Sequence, residues 1–278
     1  MNATFNIHRL GLTISKELQE KHLTILGTIG IILLAYLFIW AINQIGGDPV
    51  PAYSRAKGVI SILSIVSCLA PFILYKNENR RMEGVFYAIS PASTLEKTIS
   101  MFVVCSLIFP LTATVLTLSL DSLITLLPFK APYTGSIWGS VFSYRDYMDI
   151  LMDSSMINPE QQGLVDRIYS SMSPLMISPF AGLILGQSPF VLLNMLFRKN
   201  KIGYTLLIFF GILTIMMVAS IVSVLNIVDT AQTGEIPGVE ELANRIDTWV
   251  KAWLLIVSYI LPVVFWILTY FRIRRIQY

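Results

Sequence analysis

Charged residues leave six long gaps along the chain, and these gaps predict its architecture. Each gap has at least 18 residues without Asp, Glu, Lys or Arg: His22–Gly47, Gly58–Tyr75, Thr98–Leu120, Ile168–Phe197, Ile202–Val228 and Ala252–Phe271. About 20 apolar residues cross the roughly 30 Å hydrocarbon core of a bilayer, so each gap is long enough for a transmembrane helix. Strands of a membrane barrel would be about 10 residues long and alternate in polarity, and these stretches do not alternate.

The pattern therefore predicts an all-α polytopic membrane protein with a single transmembrane domain over residues 1–278. Its six spans have predicted cores near 23–42, 58–75, 98–120, 175–197, 203–228 and 250–271. The composition agrees, because 55% of the residues are hydrophobic and 13% are charged, about half the charged share of soluble domains. A disordered chain would need the opposite balance. A net charge of +3 is too small to indicate a nucleic-acid partner.

Residues 5–22 form an amphipathic segment before the first span. Ile7, Leu10, Ile14 and Leu18 share one helical face, which predicts a helix lying in the membrane interface. The alternative is a solvated start to the first transmembrane helix. The segment is also too long, and the following apolar stretch too extended, for a removable signal peptide.

The distribution of Lys and Arg predicts the orientation. With six spans both termini lie on one side, which carries 13 basic residues against 7 on the other. The positive-inside rule places the side with more basic residues, and hence both termini, in the cytoplasm. The segments 128–174 and 229–249 are then external. Short helices are predicted near 144–154 and 159–171, and the 128–174 segment could cap a substrate path, contact another envelope protein or simply connect spans.

The 76–97 segment between spans two and three has the most distinctive local sequence. It reads KNENRRMEGVFYAISPASTLEK, which indicates a short amphipathic helix, a turn at Pro91 and a capping box formed by Ser93 and Glu96 at the start of span three. Two interpretations stay open. The segment is either the tip of a helical hairpin or a docking surface for a cytoplasmic partner.

The chain lacks the motifs of several enzyme classes. It has no H-E-x-x-H, no G-x-S-x-G and no G-x-x-x-x-G-K-[ST] sequence, so metalloprotease, hydrolase and nucleotide-binding chemistry are not indicated. Its 2 cysteines, Cys68 and Cys105, are too few for a disulfide framework and are expected to be small buried residues. We expect no catalytic residue, no metal site and no cofactor in this chain.

Polar residues within the predicted spans are the candidates for a substrate path. Apart from Lys251 at the edge of the sixth core, the six cores contain no Asp, Glu, Lys or Arg, and Gln187, Asn194 and Asn226 are the strongest uncharged candidates. Hydrogen bonding between helices is the default role for such residues, with a substrate contact as the alternative. Asp121, at the outer end of span three, is expected at the membrane interface.

The arrangement resembles the type-2 permease subunits of ABC transporters, small bacterial membrane proteins with an amphipathic N-terminal helix, six spans and a compact cytoplasmic loop after span two. The run FYAISPASTLEK, Phe86–Lys97, is similar to the segment that small bacterial members carry at that place. The resemblance implies a bacterial plasma membrane protein that pairs as a homodimer and binds a cytoplasmic ATPase, where ATP and Mg would be used.

By the same resemblance, the 76–97 segment is a coupling loop that contacts the ATPase. The residues implied in coupling are Arg80, Arg81, Glu83, Phe86, Tyr87, Pro91, Ser93 and Glu96. The dimer contact would include spans one and five, where Gly27, Gly30, Gly203 and Gly211 permit close approach of helices or, equally, pack spans within one subunit. The function that the resemblance implies is transport, with export as the expected direction. A non-transporting envelope scaffold or sensor acting through 128–174, and a secondary carrier, are the alternatives.

Overall fold

The computed structural model describes residues 5–78, 87, 89, 91–127, 132–153, 177–232, 248 and 251–276, and for 150–153, 213, 216, 219–232 and 276 it describes the backbone alone. Within these ranges the regular structure is helical, apart from one β-bridge between Val50 and Tyr133. The fold is therefore all-α, as predicted. Arg80, Arg81, Glu83, Phe86, the predicted helix at 159–171 and most of the two predicted external segments lie outside the described residues.

The first helix, α1 (Ile7–Gly46), has 40 residues and is about 60 Å long at 1.5 Å per residue. The Asn6 side chain caps its first turn, and Gly47, with φ 79°, ends it in the left-handed conformation that glycine adopts readily. The separate interfacial helix predicted over 5–22 is not found, because this segment and the first span form one unbroken helix. Its polar residues Glu17 and Lys21 are buried against protein, which explains why the segment packs on the bundle.

Two further long helices follow, α2 (Ala52–Leu74) and α3 (Thr94–Thr125). The predicted helix near 144–154 is present as α5 (Tyr144–Asp153), preceded by the short α4 (Trp138–Phe142). The next apolar stretch is divided into α6 (Pro179–Gly186) and α7 (Ser188–Leu196). The chain continues with α8 (Lys201–Gln232) and α9 (Lys251–Arg275).

Within the described residues, 5 helical stretches are long and apolar enough to cross a membrane. They are α1, α2, α3, the α6–α7 pair and α9, and they coincide with five of the six predicted spans. The sixth predicted span, near 203–228, lies on α8. Within α8 the stretch Lys201–Ile212 is apolar but shorter than the five spanning helices. The chain thus has the character of a multi-pass membrane protein.

The helices run in alternating directions between two ends, which we name the Glu96 end and the Asp121 end after residues at the start and finish of α3. Arg9 of α1 contacts Glu96, whereas Arg55 at the start of α2 contacts Asp121. Arg272 of α9 donates hydrogen bonds to the final carbonyls of α7 at the Glu96 end. Both ends of the described chain therefore lie at the Glu96 end.

The core of the bundle is formed by α1, α2, α3 and α7. Its fully buried side chains include Ile32, Leu63, Met101, Phe109, Leu118 and Met195. Cys105 is buried as expected, and Cys68 is partly buried. Many large apolar side chains on the outer faces of α1, α8 and α9 are exposed, as helices that face lipid require.

Two prolines within the apolar helices follow stretches of π-helix. α3 contains a π-helical stretch at Phe102–Ile108 and α9 one at Ile256–Ile260. Each stretch ends two residues before a proline, Pro110 or Pro262. A proline has no N–H for the carbonyl four residues earlier, and the shift to π-type bonding occurs where that donor is missing.

Candidate functional site

The predicted capping box at the start of α3 is present. The Ser93 hydroxyl accepts a hydrogen bond from the Glu96 backbone N–H, at 3.3 Å, and the Glu96 carboxylate accepts one from the Ser93 N–H, at 2.8 Å. This reciprocal pairing satisfies two amide groups that the first helical turn would leave unbonded. Pro91 comes just before it, so the chain enters α3 through a defined turn.

Glu96 also binds the beginning of α1, which the sequence did not reveal. Arg9 Nε and Nη2 each lie 2.8 Å from a different oxygen of the Glu96 carboxylate, and the Asn6 N–H donates to the same group at 2.8 Å. The carboxylate is fully buried, and the Arg9 side chain is 33% exposed. A two-pronged arginine–carboxylate pair of this kind is geometrically specific. We call Asn6, Arg9, Ser93 and Glu96 the Glu96 clamp.

A second polar cluster joins α1 to the end of α2 and to the first residues of the 76–97 loop. The Tyr75 hydroxyl donates to the buried carboxylate of Glu17. Lys21 Nζ lies 2.8 Å from Glu78 Oε1 and 3.2 Å from the centroid of the Tyr75 ring. Because Glu17 and Lys21 are one helical turn apart on α1, both contacts hold the same face of α1 against α2.

Ile89 and Tyr87 are the residues of the predicted coupling helix that the structure describes. The Ile89 side chain is 70% exposed, whereas Tyr87 is held against the bundle. Its backbone carbonyl accepts a hydrogen bond from Lys97 Nζ at 2.6 Å. Its ring packs against the core, and its buried hydroxyl has no hydrogen-bond partner among the described residues. Burial raises the pKa of this phenol well above its ordinary value. Tyr87 therefore faces the bundle, so Phe86 alone remains as the predicted aromatic anchor for a partner.

The two clusters fasten the 76–97 loop at both ends. Glu78, near its start, is bound to α1 through Lys21. Glu96, at its finish, is bound to α1 through Arg9. The described ends of the loop, the first half of α1 and the start of α3 are consequently connected at the Glu96 end.

Asn194 and Gln187, the polar candidates in the fourth apolar stretch, are both fully buried but differ in their contacts. The Asn194 amide donates to the carbonyls of Pro71 and Tyr75, at 2.9 and 3.0 Å, and its oxygen accepts from Lys201 Nζ at 2.9 Å. These are contacts between helices. Both amide atoms of Gln187, at the junction of α6 and α7, have no partner in the described part of the chain. Asn226 lies on α8 where the backbone alone is described.

A third polar cluster, at the Asp121 end, was not predicted. Arg55 Nη1 lies 2.8 Å from both oxygens of Asp121, and the Tyr36 hydroxyl donates to the same carboxylate. Within the protein the Asp121 side chain is 2% exposed and that of Arg55 is 1% exposed, so this pair of opposite charges is buried. The signal in the sequence was the pair of opposite charges at the outer ends of consecutive spans.

This third cluster lines a cleft of about 560 Å³ between α1, α2 and the 132–137 segment. Arg55 also donates to the backbone carbonyls of Thr134 and Gly135, and its guanidinium carbon lies 4.8 Å from the centroid of the Tyr133 ring. Burial raises the pKa of Tyr133. The cluster therefore ties three helices to the segment that follows α3.

Four glycines proposed for helix contacts lie on open surface. A Cβ atom placed on Gly27, Gly30, Gly203 or Gly211 would meet nothing within 4 Å outside its own helix backbone. These glycines do not serve packing between the described parts of one chain. Nor do any three His, Cys, Asp or Glu side chains in the described ranges form a group that could hold a metal ion.

Comparisons with models of protein families, with curated proteins and with solved structures found no match for this chain.

Proposed function

We propose that this chain is the membrane-spanning permease subunit of an ATP-driven ABC transporter, acting in export as a homodimer with a separate cytoplasmic ATPase. The observation that carries the proposal is the fastening of the 76–97 loop to the bundle at both ends. A subunit driven from outside needs a surface that receives force and a rigid connection to its spans. The loop and the two clusters that bind it supply both.

The route of the force follows from the contacts. A displacement of the loop acts on Glu78 and Glu96, each of which is paired with a basic side chain of α1 at 2.8 Å. Glu96 belongs to the first turn of α3, so α1 and α3 would move together. Charge-assisted hydrogen bonds are stronger than those between neutral groups. In this proposal the paired charges transmit the displacement of the loop to α1 and α3.

The outward-facing glycines support the homodimer. They leave α1 and α8 with surfaces on which a second copy could approach closely, because small residues let helix backbones meet. In this proposal ATP and Mg are bound by the partner ATPase, and the Glu96 end faces the cytoplasm of a bacterial plasma membrane.

The test replaces Phe86 with alanine and measures association with the ATPase. Phe5→Ala is the matched control, because Phe5 is a half-exposed aromatic residue near the Glu96 clamp. We expect Phe86→Ala to reduce ATPase association and ATP-dependent transport, and Phe5→Ala to leave both unchanged, with equal expression and thermal stability of the two variants. Unchanged association in a folded Phe86→Ala protein would remove the loop from the mechanism.

A secondary carrier is the second candidate, and the buried Arg55–Asp121 pair is the observation that favours it. Ionisable groups buried in a membrane protein commonly mark ion or substrate pathways. A carrier would transport in vesicles driven by an ion gradient without ATP, and Asp121→Asn would abolish that transport. The permease proposal predicts no transport under those conditions.

A further inference from the structure

We propose that the basic cleft at the Glu96 end is a binding site for the headgroup of an anionic phospholipid. The cleft, of about 990 Å³, lies between the end of α2 and the start of α8. We call it the basic cleft. Its basic lining residues are Lys76, Arg198, Lys199 and Lys201. The inference is independent of the transport proposal.

The charge of the cleft is one-sided. Among the described residues that line it none is acidic, and the nearby carboxylate of Glu78 is committed to Lys21. Lys76, Arg198, Lys199 and Lys201 thus bring four cationic side chains to one cleft. Like charges held close together repel each other and raise the energy of the empty site. A bound anion would reduce this repulsion.

The start of α8 adds to the attraction for an anion. Residues 200–203, which include the first turn of α8, line the cleft. The backbone N–H groups of a first helical turn have no partner within the helix and carry a partial positive charge. Phosphate groups bind well at such helix starts when side-chain cations are also present. Lys201 is held in place by hydrogen bonds to the Lys76 carbonyl and to Asn194.

The neighbouring apolar surface favours a lipid over a soluble anion. Phe72 and Ile202 line the cleft together with the basic residues. Beyond it, α8 exposes Leu206, Leu207 and Phe210, with exposed fractions of 53 to 69%. A phospholipid would place its phosphate among the cations and its acyl chains along this face. Basic pockets between helices at the membrane surface bind anionic lipid headgroups in this manner.

The test measures binding of phosphatidylglycerol to the full-length chain in detergent by native mass spectrometry, with phosphatidylcholine as the neutral comparison. The variant Lys76→Gln/Lys199→Gln removes two cations that line the cleft. The control Lys16→Gln/Arg274→Gln removes two exposed cations from the same end outside it. We expect the tightest phosphatidylglycerol site to weaken about thirtyfold in the cleft variant, since each cation near an anionic lipid is worth about 1 kcal/mol. The control should bind like the original chain.

Folding and the source of the anion are tested in the same experiment. Lys199→Gln alone, in the exposed connection between α7 and α8, should weaken binding about fivefold without changing thermal stability in lipid-free detergent.

Equal losses in the cleft variant and the control would show diffuse attraction and overturn the proposal. So would equal binding of both lipids, or displacement of phosphatidylglycerol by glycerol phosphate at matched concentration. A cleft variant that keeps its lipid but loses a protein partner would show a protein-docking site instead.

Discussion

Glu96 joins three parts of the chain through one buried carboxylate. It completes the cap of α3, accepts the Asn6 N–H and pairs with the Arg9 guanidinium. The capping box was predictable from the spacing of Ser93 and Glu96, because that motif is local in sequence. The contact with Arg9 was not predictable, since it joins residues 87 positions apart and no local pattern encodes such a pairing.

The Glu96 clamp predicts a specific pattern of thermal stability. Glu96→Gln keeps a side chain that can complete the cap but removes the charge that pairs with Arg9. We expect a clear fall in the unfolding temperature in detergent for Glu96→Gln and for Arg9→Gln, and little further fall when they are combined. Ser93→Ala, which removes only the cap, should cost about 1 kcal/mol. Additive effects of the two charge-removing substitutions would contradict the clamp.

The two buried amides in the fourth apolar stretch should respond in opposite ways to apolar replacement. Asn194→Leu removes the partner of two carbonyls and should destabilise the chain by about 1 to 3 kcal/mol. Gln187→Met removes two buried amide atoms that lack partners in the described structure, so it should be neutral or stabilising. Thermal unfolding of both variants decides this. A strongly destabilised Gln187→Met would mean that Gln187 has partners beyond the described residues.

At the scale of elements, the spans were predictable and the breaks within them were not. Gaps between charges located the helices, because the bilayer sets a minimum length of apolar sequence. The division of α6 from α7 arises near Pro189, where the Ser188 hydroxyl donates to the Leu185 carbonyl at 2.8 Å. The Ser188 hydroxyl takes the place of the backbone N–H that Pro189 lacks. This depends on the rotamer of one serine, which sequence alone does not specify.

The continuity of α1 is the element-scale prediction. Spin labels placed at Leu12 and Leu34, which are both exposed, would be about 33 Å apart along one helix at 1.5 Å per residue. A right-angle bend near residue 22 would shorten the separation to about 23 Å on the same helical rise. Electron–electron distance measurement in nanodiscs, with Cys68 and Cys105 replaced by serine, should give the longer value. The shorter value would restore the separate interfacial helix.

At the scale of the whole molecule, the alternation of helices was predictable, while the polar connections across the bundle were not. The order of the predicted spans along the chain predicted which ends of the helices share a side, and the uneven distribution of Lys and Arg predicts which side is cytoplasmic. The Arg55–Asp121 pair escaped prediction because Asp121 was considered alone and Arg55 lies 66 positions away from it in the sequence. The structure brings them together with Tyr36 at the Asp121 end, and their shared burial was not encoded in either local sequence.

The orientation of the molecule in the membrane gives the next prediction. In a chain without its natural cysteines, Ser155→Cys should react with a membrane-impermeant thiol reagent in intact cells, because the 128–174 segment is predicted to be external. Lys16→Cys, at an exposed position of α1, should react only after the membrane is permeabilised. The reverse pattern would place the Glu96 end outside the cell and exclude contact between the 76–97 loop and a cytoplasmic ATPase.

The central claim is that a separate ATPase drives this chain through the Glu96 end. The most direct test is to purify the full-length chain from native membranes in mild detergent, then measure the mass of the complex and its ATP hydrolysis. We predict a complex of two copies of the chain with bound ATPase subunits, Mg-dependent hydrolysis that the isolated chain lacks, and release of the ATPase by Phe86→Ala but not by Phe5→Ala. A monomer that carries no nucleotide-hydrolysing partner under every mild detergent tested would contradict the account.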